Sequence, residues 1–104
     1  MGDVAMRKTK LTPFDVTEHL RTPKEMALYL QAAIEASDGD AESIAQALGD
    51  CARAKGMSQV ARDAGLSRES LYKWAAGERS PDFRTILKVV KALGLRLTVE
   101  AVVR

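Results

Sequence analysis

Met57-Ser58-Gln59-Val60-Ala61-Arg62-Asp63-Ala64-Gly65-Leu66-Ser67-Arg68-Glu69-Ser70-Leu71-Tyr72-Lys73-Trp74-Ala75-Ala76 is the stretch on which the fold turns. Ser58 can cap a short helix running to Ala64, with Val60, Ala61 and Ala64 as its inner face. Gly65 breaks that helix, because glycine enters positive φ without the steric cost of a side chain. Leu66 plugs the turn, and Ser67 caps a second helix to about Ala76. Leu71 and Trp74, three apart, would bury this second helix and turn Arg68, Glu69, Tyr72 and Lys73 outward. The unit is helix, tight turn, helix, with small residues where the two helices cross.

Upstream, Thr22-Pro23-Lys24-Glu25 is a helix start: Thr22 can cap, Pro23 suits the first turn, and Glu25 stands at the capping-box position. Met26, Tyr29, Leu30, Ala33 and Ile34 recur at spacings of three and four, so the helix should run to about Ser37 with this face buried. Asp40 opens a second helix with the stripe Ile44, Ala45, Leu48, Cys51 and Ala52, stopped by Gly56. Downstream, Ser80-Pro81 restarts the chain as a cap followed by proline. Phe83, Ile86, Leu87, Val90 and Leu93 form an amphipathic stripe that ends at Gly94. From Leu95 to Val103 apolar residues alternate with Arg96, Thr98 and Glu100, a period-two pattern that predicts a strand. A lone strand is unstable in water, so it should pair with Leu11–Val16 or with its copy in a second subunit. Residues 1–10 read as a disordered arm, 11–38 as an N-terminal segment and helix, 40–94 as the helix-turn-helix domain, and 95–104 as the C-terminal strand.

Composition narrows the function classes. The 104 residues are 46% hydrophobic and 29% charged, the balance of a globular domain. One cysteine, Cys51, and one histidine, His19, leave neither an internal disulfide nor a zinc site. Cys51 lies on an apolar helix face and reads as packing, and His19 as a loop residue. Asp38, Asp40 and Glu42 look like part of a calcium loop, but Gly39 is misplaced and the bidentate Glu is missing, so capping explains them. No enzyme, metal or cofactor is expected. No apolar run reaches the roughly 20 residues needed to span a bilayer, and no leader pattern is read, so a cytoplasmic location without a membrane partner is expected.

Net charge is +2 but unevenly spread. Residues 1–50 carry 5 Lys/Arg and 9 Asp/Glu, a net −4, whereas residues 51–104 carry 11 and 5, a net +6. The basic half holds the two-helix unit, and phosphate attraction supplies most non-specific DNA affinity. In a DNA-reading helix-turn-helix the second helix enters the major groove by its N-terminal residues. On that reading Arg68 forks onto a guanine, Glu69 accepts from a cytosine amine, and Ser67 or Ser70 reaches a base or phosphate. Tyr72 and Lys73 touch the backbone. Arg79, Arg84 and the N-terminus of helix 82–93 are phosphate candidates. Trp74, on the inner stripe with Leu71, is assigned to the core.

Ala61, Gly65, Leu66, Ser67, Leu71 and Trp74, with the trailing Gly77-Glu78-Arg79-Ser80-Pro81, resemble the Cro/cI-type (XRE-type) repressors over about 25 residues. A wider likeness rests on Thr12-Pro13-Phe14-Asp15, Leu20-Arg21-Thr22-Pro23, Ala47-Leu48-Gly49-Asp50, the run Gly65 to Lys73, and Leu87 to Leu95. Together, over about residues 11–98, these resemble the addiction-module antidote proteins, antitoxins of bacterial toxin–antitoxin pairs. The fold implied is mainly α: a five-helix Cro/cI-type (lambda-repressor-like) DNA-binding domain with an extra N-terminal helix or arm and a C-terminal β-strand. The function implied is neutralisation of a RelE/ParE-like toxin and repression of the chain's own operon by a homodimer on an inverted-repeat operator. Where the repressors commonly place a Gln against phosphate at the start of the first motif helix, this sequence has Met57. Gln59, two residues on, is the remaining candidate for that contact.

Two other functions fit the same residues: a stand-alone XRE-type regulator without a toxin, and a helix-turn-helix protein-interaction module. The first is told apart by the lack of an adjoining toxin gene, the second by the lack of salt-sensitive DNA binding. The dimer is expected to use the last helix or strand 95–103, where Val89 and Val102 exceed what one core needs. The acidic N-terminal half is the expected face for a basic toxin.

Overall fold

The computed structural model describes residues 20–80 and 82–103, which form five α-helices. These are α1 (Pro23–Ser37), α2 (Ala41–Lys55), α3 (Met57–Ala64), α4 (Arg68–Ala75) and α5 (Phe83–Ala92). The chain is mainly helical, and the described residues contain no strand. The reading of an arm at 1–10 and the proposed pairing segment Leu11–Val16 lie outside the described residues.

Local signals set most helix ends. At α1 the Thr22 hydroxyl accepts from the Glu25 N–H at 3.1 Å, while Glu25 Oε1 accepts from the N–H groups of Thr22 at 3.1 Å and Arg21 at 2.7 Å. This reciprocal box satisfies donors that a helix start otherwise leaves open. Asp40 caps α2, its Oδ2 taking the Ser43 N–H at 2.9 Å and the Ser43 hydroxyl at 2.8 Å. Ser67 caps α4 by accepting from the Ser70 N–H at 3.0 Å. Gly65 ends α3 at φ +72°, and the Leu66 N–H reaches back to the Ala61 carbonyl at 2.8 Å.

Two caps differ from expectation. Helix α3 begins at Met57, not after Ser58, with Gly56 ahead of it and no side-chain cap; burial of Met57 draws the first turn inward. Helix α5 is capped by Asp82 rather than Ser80: Asp82 Oδ1 accepts from the Thr85 N–H at 2.8 Å. A carboxylate next to the first turn serves the helix dipole better than a hydroxyl two residues earlier.

Helix α2 is the central element and packs against each of the other four. Helix α3 also packs on α4 and α5, whereas α1 packs on α2 and no other described helix. Among the described residues Leu48, Leu71, Leu93, Val60, Val89 and Cys51 are the largest fully buried side chains, and no charged or polar residue is buried with them. The Cys51 thiol is pushed up to about 12, first by burial and then by the neighbouring Asp50 carboxylate. Lys55 closes the far end, its ammonium donating to the Ala92 carbonyl at the C-terminus of α5 at 2.7 Å.

Three expectations about burial are corrected. Phe83 is 67% and Leu87 41% exposed, because α5 turns Val89 and Ala92 inward beside the expected Val90 and, at its C-cap, Leu93. Ile34 is left 38% exposed, since α1 has only α2 among the helices to lean on. Residues 95–103 form no strand. Leu95 packs on the core, but beyond it the segment has no ladder partner among the described residues, and an extended chain needs one to be a strand.

Candidate nucleic-acid interface

The site is built on α4, and its orientation comes from underneath. Leu71, Trp74 and Ala75 bury one side of this helix. The closest approach is to α2 at Gly49, where a Cβ would stand 2.9 Å from the Ala75 Cβ, so only glycine lets the two backbones come this near. On the opposite side Arg68, Glu69 and Tyr72 are exposed, with Ser70 and Lys73 half-buried on the flanks. Gln59 is exposed on α3, Arg79 in the loop after α4, and Arg84 in the first turn of α5.

The outward residues are already paired with one another. The Arg68 guanidinium lies 5.5 Å from the centre of the Tyr72 ring and donates through Nη2 to the Tyr72 hydroxyl at 3.4 Å. Lys73 Nζ stands 3.4 Å from Glu69 Oε2. Both pairs are four apart on an exposed helix, where each is worth only about 0.2–0.5 kcal/mol. They hold the side chains extended over α4 at little cost to break. The i, i+4 spacing of Arg68 with Tyr72 and of Glu69 with Lys73 was legible in the sequence as the signal for them.

Two candidates have prior engagements. The Ser67 oxygen is taken by its capping bond, which leaves its hydroxyl proton as the group free to donate. The N-terminus of α5, a phosphate candidate by its dipole, is occupied by this chain's own Asp82 carboxylate. The N–H of Thr85, above all, holds that carboxyl below the usual carboxylate range, so it stays ionised against an incoming anion. Arg84 remains available beside it.

Two further features at this end of the molecule were not apparent from sequence. A cavity of about 200 Å³ lies between Glu42, Ala45 and Gln46 of α2 and Trp74, Ala76, Gly77 and Arg79 at the end of α4 and the loop beyond it. The Trp74 indole N–H, buried in that wall, has no acceptor among the described residues. Trp74 is thus a core side chain, as expected, but one whose polar atom is unspent. Among the described residues no three His, Cys, Asp or Glu side chains converge as a metal site, and no helix is long and apolar enough to cross a membrane.

Comparison with known proteins places this geometry in a family. A family model described as a probable addiction module antidote protein matches residues 10–101. A protein of Haemophilus influenzae (strain KW20 / Rd), itself described only as uncharacterized, is 50% identical over 91 residues, covering 88% of this chain and 92% of that protein. No solved structure matches.

Proposed function

This chain belongs to the family of probable addiction module antidote proteins, and from that premise we propose that it is a DNA-binding antitoxin. In this reading helices α2–α5 are a Cro/cI-type (XRE-type) unit. The protein neutralises a cognate RelE/ParE-like toxin in the cytoplasm and, as a homodimer on an inverted-repeat operator, represses its own operon. The observation that carries the DNA reading is α4 itself: a helix fixed by Leu71, Trp74 and Ala75 that presents Arg68, Glu69, Tyr72 and Lys73 to solvent from the basic half of the chain.

Arg68 and Glu69, near the N-terminus of α4, read base edges, which requires their pairs with Tyr72 and Lys73 to open. Ser67 or Ser70 reaches a base or phosphate, while Gln59, Tyr72, Lys73, Arg79 and Arg84 contact the backbone and set the register. Two such helices about 34 Å apart, one turn of DNA, account for a palindromic operator. The toxin is assigned to the acidic half, residues 1–50 at net −4, which keeps it away from the DNA face.

The test is binding of the purified protein to its own upstream DNA and to random DNA at two salt concentrations, with and without the neighbouring gene's product. Selective, salt-sensitive binding altered by that product is expected. Equal affinity for both DNAs would overturn the reading. Arg68→Ala should cost about 1–3 kcal/mol on the operator and relax selectivity, while Lys73→Ala should weaken both DNAs alike and flatten the salt dependence.

A further inference from the structure

Beyond α5 the chain turns through Gly94, at φ +81°, and the Leu95 N–H returns to the Val90 carbonyl at 3.1 Å. The apolar residues after Leu95 are left uncovered by the described residues: Leu97 is 46%, Val99 99%, Val102 78% and Val103 94% exposed. In an extended chain successive side chains alternate between faces. That puts Leu95, Leu97, Val99, Ala101 and Val103 on one face and Arg96, Thr98, Glu100 and Val102 on the other. A segment so patterned, left without a partner among the described residues, is an open template for strand pairing.

The charges choose the partner. Arg96 and Glu100 stand symmetrically about Thr98 on the polar face. An antiparallel pair of identical segments with its two-fold axis at Thr98 sets each Arg96 against the other chain's Glu100. The same register sets Leu97 against Val99 and Leu95 against Ala101 on the apolar face. Moving the axis to Val99 faces Arg96 with Val102, and moving it to Leu97 faces Arg96 with Thr98; both lose the two ion pairs. An axis at Arg96 or Glu100 opposes like charges. An axis between two residues sets apolar side chains against polar ones, and a parallel pair lays Arg96 beside Arg96. One register satisfies both faces.

We propose that residues 95–101 form an antiparallel two-stranded ribbon with the same segment of a second copy of this chain, its two-fold axis at Thr98 and each Arg96 facing the partner's Glu100. The interface is isologous, as a two-fold dimer requires. It deepens the homodimer of the functional reading above by naming its interface, and it can fail separately from DNA binding because the ribbon uses none of the residues assigned to DNA.

The test reads association by sedimentation of the full chain, with no DNA present. Opposite charges across a ribbon attract and like charges repel, and each reversal alters two pairs per dimer. Arg96→Glu alone and Glu100→Arg alone should therefore each weaken the dimer about tenfold, from about 1.4 kcal/mol. The double variant should recover it, and an equimolar mixture of the two single variants should associate more tightly than either one. A second measurement fixes the register. Thr98→Cys places two cysteines directly opposite, with Cα atoms about 4.5–5.5 Å apart, within disulfide reach. Val99→Cys leaves them offset by two residues, about 7 Å along the strands, and out of reach. Mild oxidation should join T98C into a covalent dimer and leave V99C free, with the native Cys51 buried and uninvolved. A wild-type chain that stays monomeric at micromolar concentration, a dimer indifferent to both charge reversals, or equal cross-linking at the two positions would each overturn the proposal.

Discussion

Helices α1 and α4 both lean on α2, yet they are held in different ways. Helix α1 has 15 residues and buries two of them, Met26 and Leu30; α4 has eight and buries three. Helix α1 rests on α2 alone, whereas α4 is wedged between α2 and α3. Tyr29 and Ala33 pack half-buried beside Met26 and Leu30, and one polar link adds to them: the Tyr29 hydroxyl donates to Asp50 Oδ2 at 2.6 Å, and Arg53 braces the other oxygen of that carboxylate at 3.4 Å. Burial first, and the Asp50 carboxylate second, hold the Tyr29 phenol well above its ordinary range, so it stays a donor. The helix with outward chemistry is locked by packing, and the helix with exposed apolar Leu28 and Ile34 is attached by one face and one hydrogen bond. Rigidity is spent where a direction has to be kept.

The largest effect should come from the core under α4. Leu71→Ala removes a fully buried side chain shared by the interlocked helices and should cost about 2–5 kcal/mol by urea denaturation. Met26→Ala, on the singly attached helix, should cost less, because α1 can open without the rest; equal costs would break the contrast. Hydrogen exchange sharpens it, with amides of α1 expected to exchange before those of α2 and α4.

Gly49→Ala comes next. In a solvent-facing helix this change stabilises by about 1 kcal/mol. Here the new Cβ meets the Ala75 Cβ at 2.9 Å, neither atom can swing aside, and overpacking should cost about 1–3 kcal/mol. A rise in thermal midpoint would show that α4 can shift on α2. Tyr29→Phe should cost about 1 kcal/mol and should speed exchange in α1 while leaving α4 unchanged.

The smallest expected effect is one of pH. The Asp40 and Asp82 carboxyls sit below their ordinary range in the folded chain, held chiefly by the N–H groups of Ser43 and Thr85 respectively. A lowered folded value means that the caps add stability above the ordinary carboxylate range and lose it as pH falls through the lowered value. Asp40→Asn combined with Asp82→Asn should flatten the acid limb of a plot of thermal midpoint against pH. An unchanged limb would assign it to other carboxylates.

The same contrast explains what could be read from sequence. The capping box at Thr22–Glu25, the caps at Asp40 and Ser67 and the break at Gly65 are decided within four residues, so they were legible. The inner sets Val60–Ala61–Ala64 and Leu71–Trp74 followed from helical periodicity. Choices settled by tertiary contact were not legible. Ser80 and Asp82 both offer caps around Pro81, and periodicity alone admitted Phe83 and Leu87 to a stripe that packing assigned to Val89 and Ala92. The packing need for Gly49 was not legible, because the reason for it lies 26 positions away, at Ala75. The alternation after Gly94 was visible, but a strand is a property of two segments, and the described residues supply one.

The unspent indole N–H has a consequence for how this protein can be watched. Trp74 is the only tryptophan in the chain, and it lies beneath the helix assigned to DNA, in the wall of the cavity beside Arg79. Its fluorescence is therefore an unlabelled optical reporter of one locus. An apolar setting gives blue-shifted emission that moves to the red when α4 is freed, and any acceptor that reaches the idle N–H perturbs the excited state directly. The residue that fixes α4 from behind thus signals, in light, whenever that helix is moved.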